Sequence, residues 1–351
     1  MDARRIALIK PSALGDIVHS LPVLSALRVR FPSARITWIV NTAYESLLAG
    51  HPDLSDTLPY DRNALKRGAR RAISSTLAFA SELRNRRFDL VIDMQGLLRS
   101  GIMAWTSGAP RRVGFANARE GARYTYTHKI PSPAMKSAHA VDRMWTVAEA
   151  FGVGHLPKVF RVPLQPAEVE SARETIAAFP RPWIAVAVGA KWLTKRWPVA
   201  HFAELLNRAH SHFGGTPFFI GTSEDSDLSQ QVIANLRAPA NALNLAGKTS
   251  LPRLAALLSL ADVMVGNDTG PLHLGAALGK PCVAPYLCTR VALHGPYLQS
   301  ANCAETTVAC AGSYLKKCHN MICMPELTAD RLWPRFAEIL DTWQRTHSHS
   351  A

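Results

Sequence analysis

Short apolar runs alternate with longer amphipathic stretches along most of this chain, the pattern of strands and helices taken in turn. Residues 5–10 (RIALIK) read as a short buried strand. Turn residues Pro11 to Gly15 follow, then an apolar-periodic helix from about Asp16 to Arg30, kinked at Pro22. Further strands are predicted at 35–40 (RITWIV) and, after a basic helix, at 88–93. Strand, helix and strand in succession imply a parallel sheet with right-handed crossovers. Five prolines between Pro157 and Pro182, enclosing an acidic helical stretch at 167–178, interrupt the pattern. It then restarts, with strands at 183–190, 216–222 and 262–267 and helices at 199–213 and 251–261. The reading is α/β, two successive Rossmann-like halves: a first domain over 1–165, a linker region at 166–182, and a second domain over 183–351.

The length of 351 residues agrees with two domains of roughly 150 each. Hydrophobic residues at 48% and charged residues at 19% exclude a disordered chain, a collagen and a coiled coil. The net charge of +14 points to an anionic partner: nucleic acid, an acidic membrane surface or a phosphorylated small molecule. Residues 60–129 hold 14 Lys or Arg against 5 Asp or Glu, so +9 of that charge sits there. Lys66 with Arg70, and Arg67 with Arg71, are spaced i,i+4 and would form one cationic helix face. A solvated face is the plainer reading, and no nucleic-acid motif accompanies the charge. No run reaches the roughly 18–20 apolar residues of a membrane span, and the N-terminus lacks a cleavable signal pattern. The expectation is a cytoplasmic protein that at most touches a membrane. All six cysteines lie between Cys282 and Cys323; without paired CxxC spacing they are expected to be reduced thiols rather than a metal site.

Ligands of open parallel sheets bind beyond the C-terminal strand ends, so three loops hold the candidate chemistry. The loop from Lys10 to Asp16 is neither GxGxxG nor a P-loop, which weakens dinucleotide, epimerase and NTPase readings. Asp16 would sit at or near a helix N-cap, and serves either as a cap or as a general base. The loop Lys191 to Pro198 gathers Lys191, Lys195 and Arg196, suited to phosphate, although exposed basic residues are ordinary. The third, Asn267 to His273, puts Gly270 and Pro271 at a helix start where a phosphate could rest, with Asp268 beside it. A capped turn with nothing bound is the alternative there.

Together these segments resemble the family 9 glycosyltransferases, the ADP-heptose:lipopolysaccharide heptosyltransferases. The resemblance rests on KPSALGDIVHSLPVLSALR, FDLVIDMQGLLRSG, TKRWPVAHFAELL and GNDTGPLHLGAALGKP, in the family's order, and extends from residue 5 to about 290. It implies a GT-B fold, two Rossmann-like parallel-sheet domains facing a central cleft, with the acceptor on the first and the sugar nucleotide on the second. It assigns Asp16 as the base on the acceptor hydroxyl and Lys195 as the cation for the departing diphosphate. Asp268, Thr269, Gly270 and His273 would hold the donor, with Asp225 on the nucleoside and Lys191 near the phosphates. Ser12, Lys66, Arg67, Arg70, Arg119, His139 and Arg143 fall on the acceptor side.

The implied partners are ADP-heptose and a Kdo-lipid A acceptor at the inner membrane, with no nucleic acid, no cofactor and no metal. The implied location is cytoplasmic and peripheral to the membrane's cytoplasmic face. Ala190 and Lys191 depart from a hydroxyl pair found in heptosyltransferase I, and the cysteine-rich segment is more like the second heptosyltransferase. A same-family enzyme with another donor or acceptor, and a non-catalytic nucleic-acid-binding protein, remain as alternatives.

Overall fold

A computed structural model describes residues 2–62, 69–133 and 137–347, and for 69–72 the backbone alone. The chain divides into two units, Met1–Pro163 and Leu164–Ala351. In the first, strands β1 (Arg5–Ile9), β2 (Arg35–Asn41), β3 (Asp56–Tyr60), β4 (Leu90–Asp93), β5 (Arg111–Phe115) and β6 (His128–Ile130) form one parallel sheet, ordered β3-β2-β1-β4-β5-β6. β1 pairs with both β2 and β4, Ile6 standing opposite Ile36 on one side and Leu90 on the other. β1 beyond Arg5 and all of β4 are buried, which is why they read as unbroken apolar runs. Helices Ala69–Asn85 and Leu98–Thr106 cover one face, where Leu83, Met103 and Ala104 pack with Ala7, Ile9 and Val91. Helices Leu14–Arg30 and Ala140–Ala150 pack on each other, with Phe31 edge-on to Phe151 at 5.8 Å.

The second unit repeats the order. Strands β7 (Trp183–Ala187), β8 (Thr216–Phe219), β9 (Leu243–Asn244), β10 (Val263–Gly266), β11 (Cys282–Tyr286) and β12 (Cys303–Glu305) are arranged β12-β11-β10-β7-β8-β9. Read from its own first strand, this is again 3-2-1-4-5-6, the Rossmann order. Helices Val199–Phe213 and Ala329–His347 pack together over it and bury Phe202, Leu205, Leu332 and Phe336 against Val186, Phe219 and Val283.

The sequence pattern misses six strands, for local reasons. β3 is an edge strand containing Pro59, tolerated there because an edge leaves backbone N–H groups unpaired. β6, β9 and β12 have three, two and three residues, too few to show a period. β5 opens on two arginines, and β11 carries Pro285. The helix expected from Asp16 begins two residues earlier, at Leu14. The acidic helical stretch expected at 167–178 within the linker region is helix Pro166–Ile176, which packs on helix Leu251–Leu260 of the second unit. Arg253 ties the two by donating to the Ser171 carbonyl at 2.7 Å. Among the described residues, no helix is long and apolar enough to cross a membrane.

Candidate active site

In a 3-2-1-4-5-6 sheet the crossovers from the first and fourth strands leave in opposite directions, opening a crevice between them. Buried polar side chains stand there in each unit, Lys10 in the first and Asn267 and Asp268 in the second. In the first unit a hollow of about 240 Å³ is lined by Lys10 after β1, by Met94 to Gly96 after β4, and by Arg119 after β5. Asp16, His19, Asn117, Ser132 and Arg143 add to its polar wall. Asp16 lies in the first turn of its helix, exposed, and its Oδ2 accepts from the Ala13 amide at 3.2 Å. It therefore caps the helix from inside, and capping takes one carboxylate oxygen.

Lys10 is 5% exposed, and its Nζ donates to the Met94 carbonyl at 3.2 Å across the crevice. Arg143 is nearly as buried and donates to the Ala138 carbonyl at 2.6 Å. His139 starts the same helix, its Nδ1 accepting from the Val141 amide at 3.2 Å, and meets the His19 ring edge-on at 5.7 Å. Lys10, Arg119 and Arg143 face a single carboxylate in this hollow, so it carries excess positive charge. Asp93 shapes the floor. Its Oδ1 accepts from the Gln95 and Gly96 amides at 2.8 and 3.1 Å, and its Oδ2 from the Tyr126 hydroxyl at 2.6 Å. Complete burial pushes its pKa up, against the pull of those donors.

In the second unit the site forms beyond β7 and β10. Asn267 is fully buried and joins the two loops: its Nδ2 donates to the Val188 carbonyl at 2.7 Å, and its Oδ1 accepts from the Trp197 amide at 3.0 Å. That clamp presents Lys195, whose Nζ donates to Asp268 Oδ2 at 2.6 Å and to the Asp268 carbonyl at 3.3 Å. The Thr289 hydroxyl donates to the same Oδ2 at 2.8 Å, and His273 Nε2 lies 3.3 Å from Oδ1. Burial alone would raise the Asp268 pKa. The His273 hydrogen bond and the Lys195 charge outweigh it and hold the carboxyl well below the usual range. Thr269 is the N-cap of helix Gly270–Ala277, so the amides of that helix start adjoin the Lys195 ammonium.

Asp225 closes a 3-10 turn beyond β8, its Oδ2 accepting from the Thr222 amide and hydroxyl, both at 2.8 Å. The carboxylate lies so close over Gly189 and Gly221 that a Cβ at either would collide with it. Lys191 is exposed. The cysteine-rich segment returns to this site: the Tyr314 amide donates to the Cys288 carbonyl at 2.9 Å, and Thr194 donates to the Leu315 carbonyl at 2.6 Å. All six cysteines are unbridged.

Of the residues singled out in the sequence, the structure gathers Asp16, Arg119 and Arg143 in one hollow, with His139 behind it, and Lys195, Asp268 and His273 in one bonded cluster. Ser12 is not among the residues lining the hollow. Lys66 and Arg67, and the side chains of Arg70 and Arg71, lie outside the described residues. Sequence reasoning missed Lys10, His19, Asp93 and Thr289. The first three stand inside recognisable motifs; for Thr289 no local signal exists.

Two parallel sheets of this order, each with its polar site at the strand-order reversal, are the GT-B fold. A family model described as glycosyltransferase family 9 (heptosyltransferase) matches residues 76–322, and the chain belongs to that family. It is 27% identical over 297 residues to the lipopolysaccharide core heptosyltransferase OpsX of Haemophilus influenzae, covering 84% of this chain and 80% of that protein. To lipopolysaccharide heptosyltransferase 1 of Pseudomonas aeruginosa it is 28% identical over 327 residues, covering 90% and 87%. Among solved structures, a family 9 glycosyl transferase from Veillonella parvula superposes with a TM-score of 0.85 at 23% identity, over 97% of this chain and 98% of that one. Escherichia coli heptosyltransferase WaaC with ADP-2-deoxy-2-fluoro heptose gives 0.70 at 23% identity, over 95% and 99%.

Proposed function

We propose that this family 9 enzyme transfers heptose from ADP-heptose to the Kdo inner core of lipopolysaccharide, with inversion at the anomeric carbon. The observation that carries the reading is the bonded cluster of Lys195, Asp268 and His273 beside the Gly270 helix start. A diphosphate needs fixed positive charge, and a cation next to free helix amides provides it. Asp268, held ionised, is suited to accept hydrogen bonds from sugar hydroxyls, and Asp225 from the nucleoside.

On the acceptor side Asp16 removes the hydroxyl proton as the oxygen attacks the anomeric carbon. The bond from that carbon to the diphosphate breaks, its electron pair leaving with ADP, and Lys195 neutralises the charge that develops there. The transition state resembles an oxocarbenium ion, the same electronic demand as in glycoside hydrolysis. The cationic hollow around Lys10, Arg119 and Arg143 suits the carboxylates of a Kdo acceptor. The strong positive charge of residues 60–129 fits work at an anionic membrane surface, where that acceptor lies.

The stretches around Arg119, His139 and Arg143 favour the first heptose transfer, whereas Lys191 departs from that enzyme's pattern and the cysteine-rich segment is more like the second. Mass spectrometry of products from purified protein, ADP-heptose and Kdo-lipid A decides. One added heptose is expected on that acceptor. Transfer only to an acceptor already carrying heptose assigns the second step, and failure with both acceptors overturns the reading.

A further inference from the structure

The geometry points to a membrane-docking face on the first unit, made by helices Ala69–Asn85 and Leu98–Thr106, that inserts apolar side chains into an anionic lipid bilayer. Leu98, Ile102 and Trp105 are spaced i, i+4, i+7, so they form one stripe along their helix. Ile73 and Leu77 do the same on the neighbouring helix. These five side chains are between 45% and 65% exposed, although other sides of the same helices, at Leu83, Met103 and Ala104, are core. The helices pack side by side, and Arg84 Nε, at the end of the first, donates to the Thr106 carbonyl at 3.2 Å, which places it next to Trp105. Arg84 follows Leu77 by seven residues and continues the stripe of Ile73 and Leu77, so that stripe is on the side facing helix Leu98–Thr106 and adjoins the other one. Neighbouring exposed apolar stripes mark an interaction surface.

Charge selects the occupant. Arg84 and Arg99 stand exposed on the same two helices. The turn packed against helix Leu98–Thr106 carries Tyr124, 73% exposed, with the Arg123 guanidinium 4.8 Å and the Lys129 ammonium 5.9 Å from its ring centre. The nearby Glu120 carboxylate is engaged with the Leu98 amide. Apolar side chains with a Trp and a Tyr, rimmed by Arg and Lys, are the composition of a helix face that lies in the headgroup region of an anionic leaflet. The cations add an attraction to such a surface that falls off within a Debye length and weakens with salt. A second copy of the chain would present the same cations to this rim, so self-association through it is disfavoured.

The test is independent of the transferase reading, because it uses neither donor nor acceptor. The full chain is sedimented with vesicles rich in phosphatidylglycerol and with phosphatidylcholine vesicles. Wild type should bind the anionic vesicles far better. The exposed double variant Ile102→Glu/Trp105→Glu, and separately Leu77→Glu, should lower the partition coefficient at least tenfold with an unchanged melting temperature. Quenching by brominated lipid should drop in Trp105→Phe, a conservative change that keeps the apolar face. Arg84→Ala/Arg99→Ala should weaken binding to anionic vesicles alone, and less at high salt. Unchanged partition in both Glu variants would overturn the proposal. So would vesicle-free self-association that those variants abolish without moving lipid binding.

Discussion

Lys195 and Asp268, 73 residues apart in sequence, meet at 2.6 Å at the reversal point of the second sheet. The sequence motifs assign them separate duties, one toward a diphosphate and one toward a sugar. The structure shows them bonded to each other, with Thr289 and His273 on the same carboxylate. A ligand diphosphate would therefore approach an ammonium already oriented by its partner, and that preorganisation is the main source of electrostatic catalysis.

The pair predicts a separable cycle. Removing one member of a buried, hydrogen-bonded ion pair typically costs about 3–5 kcal/mol, because the other charge is left uncompensated. Lys195→Met should destabilise the protein on that scale and lower kcat at least a hundredfold. In Lys195→Met/Asp268→Asn most of the stability should return and none of the activity. Urea unfolding and steady-state kinetics on the three variants check this. Recovery of activity along with stability would make the pair merely structural.

Asp16→Asn should lower kcat by about 10² to 10⁴, the usual worth of a general base, while ADP affinity stays within twofold. Capping predicts only a small stability loss, about 1 kcal/mol. Single-turnover transfer and calorimetric ADP titration separate the two roles. A kcat within threefold of wild type would leave Asp16 as a helix cap and nothing more.

Asp225 is held against the Gly189 backbone, so two different substitutions should converge on one phenotype. Asp225→Ala removes a charged acceptor, a change worth about 1.5–3 kcal/mol in a hydrogen-bonded site. ADP affinity should fall tenfold or more, with inorganic pyrophosphate binding unchanged. Gly189→Ala leaves the carboxylate in place but forces it aside, and should reproduce much of that loss. A normal ADP affinity in both would remove Asp225 from the nucleoside site.

How far the sequence reveals this molecule depends on how local each feature is. Helix Val199–Phe213 is legible to the residue, because its apolar face has a clean helical period and Gly214 ends it. β1 and β7 are legible because strands buried on both faces become unbroken apolar runs. β9, two residues at an edge, has no pattern to read. The site follows the same rule. Asp16, Lys195 and Asp268 are visible as polar residues in loops after apolar runs, whereas their bonding depends on strand order. The repeat of one sheet order in both units brings Lys10 to Met94 and Lys195 to Asp268, and no window of local sequence contains either relationship.

Away from both sites, a buried histidine makes stability depend on pH. His51 is buried. Its Nδ1 accepts from the Asp53 amide at 3.1 Å, so Nε2 is the nitrogen that donates, to the Arg161 carbonyl at 2.9 Å. The ring thus makes both its bonds in the neutral form. Asp53 in turn accepts from Ser25 at 2.8 Å and pairs with Arg161 at 2.8 Å, so this cluster fastens the end of the first unit to helix Leu14–Arg30. Burial lowers the His51 pKa, and the Asp53 charge only partly offsets it. A histidine with a depressed folded-state pKa takes up its proton more readily in the unfolded chain. Its contribution is therefore fully present above the unfolded value of about 6.5 and is lost as pH falls through and below it. The slope from one such group cannot exceed about 1.4 kcal/mol per pH unit. His51→Asn keeps a side-chain acceptor and removes the titration. The stability gap between wild type and this variant, measured by urea unfolding, should be largest at pH 7.5 and shrink by pH 5.5. A gap constant across that range would mean that His51 titrates alike in the folded and unfolded chain, and that its two hydrogen bonds do not hold it neutral.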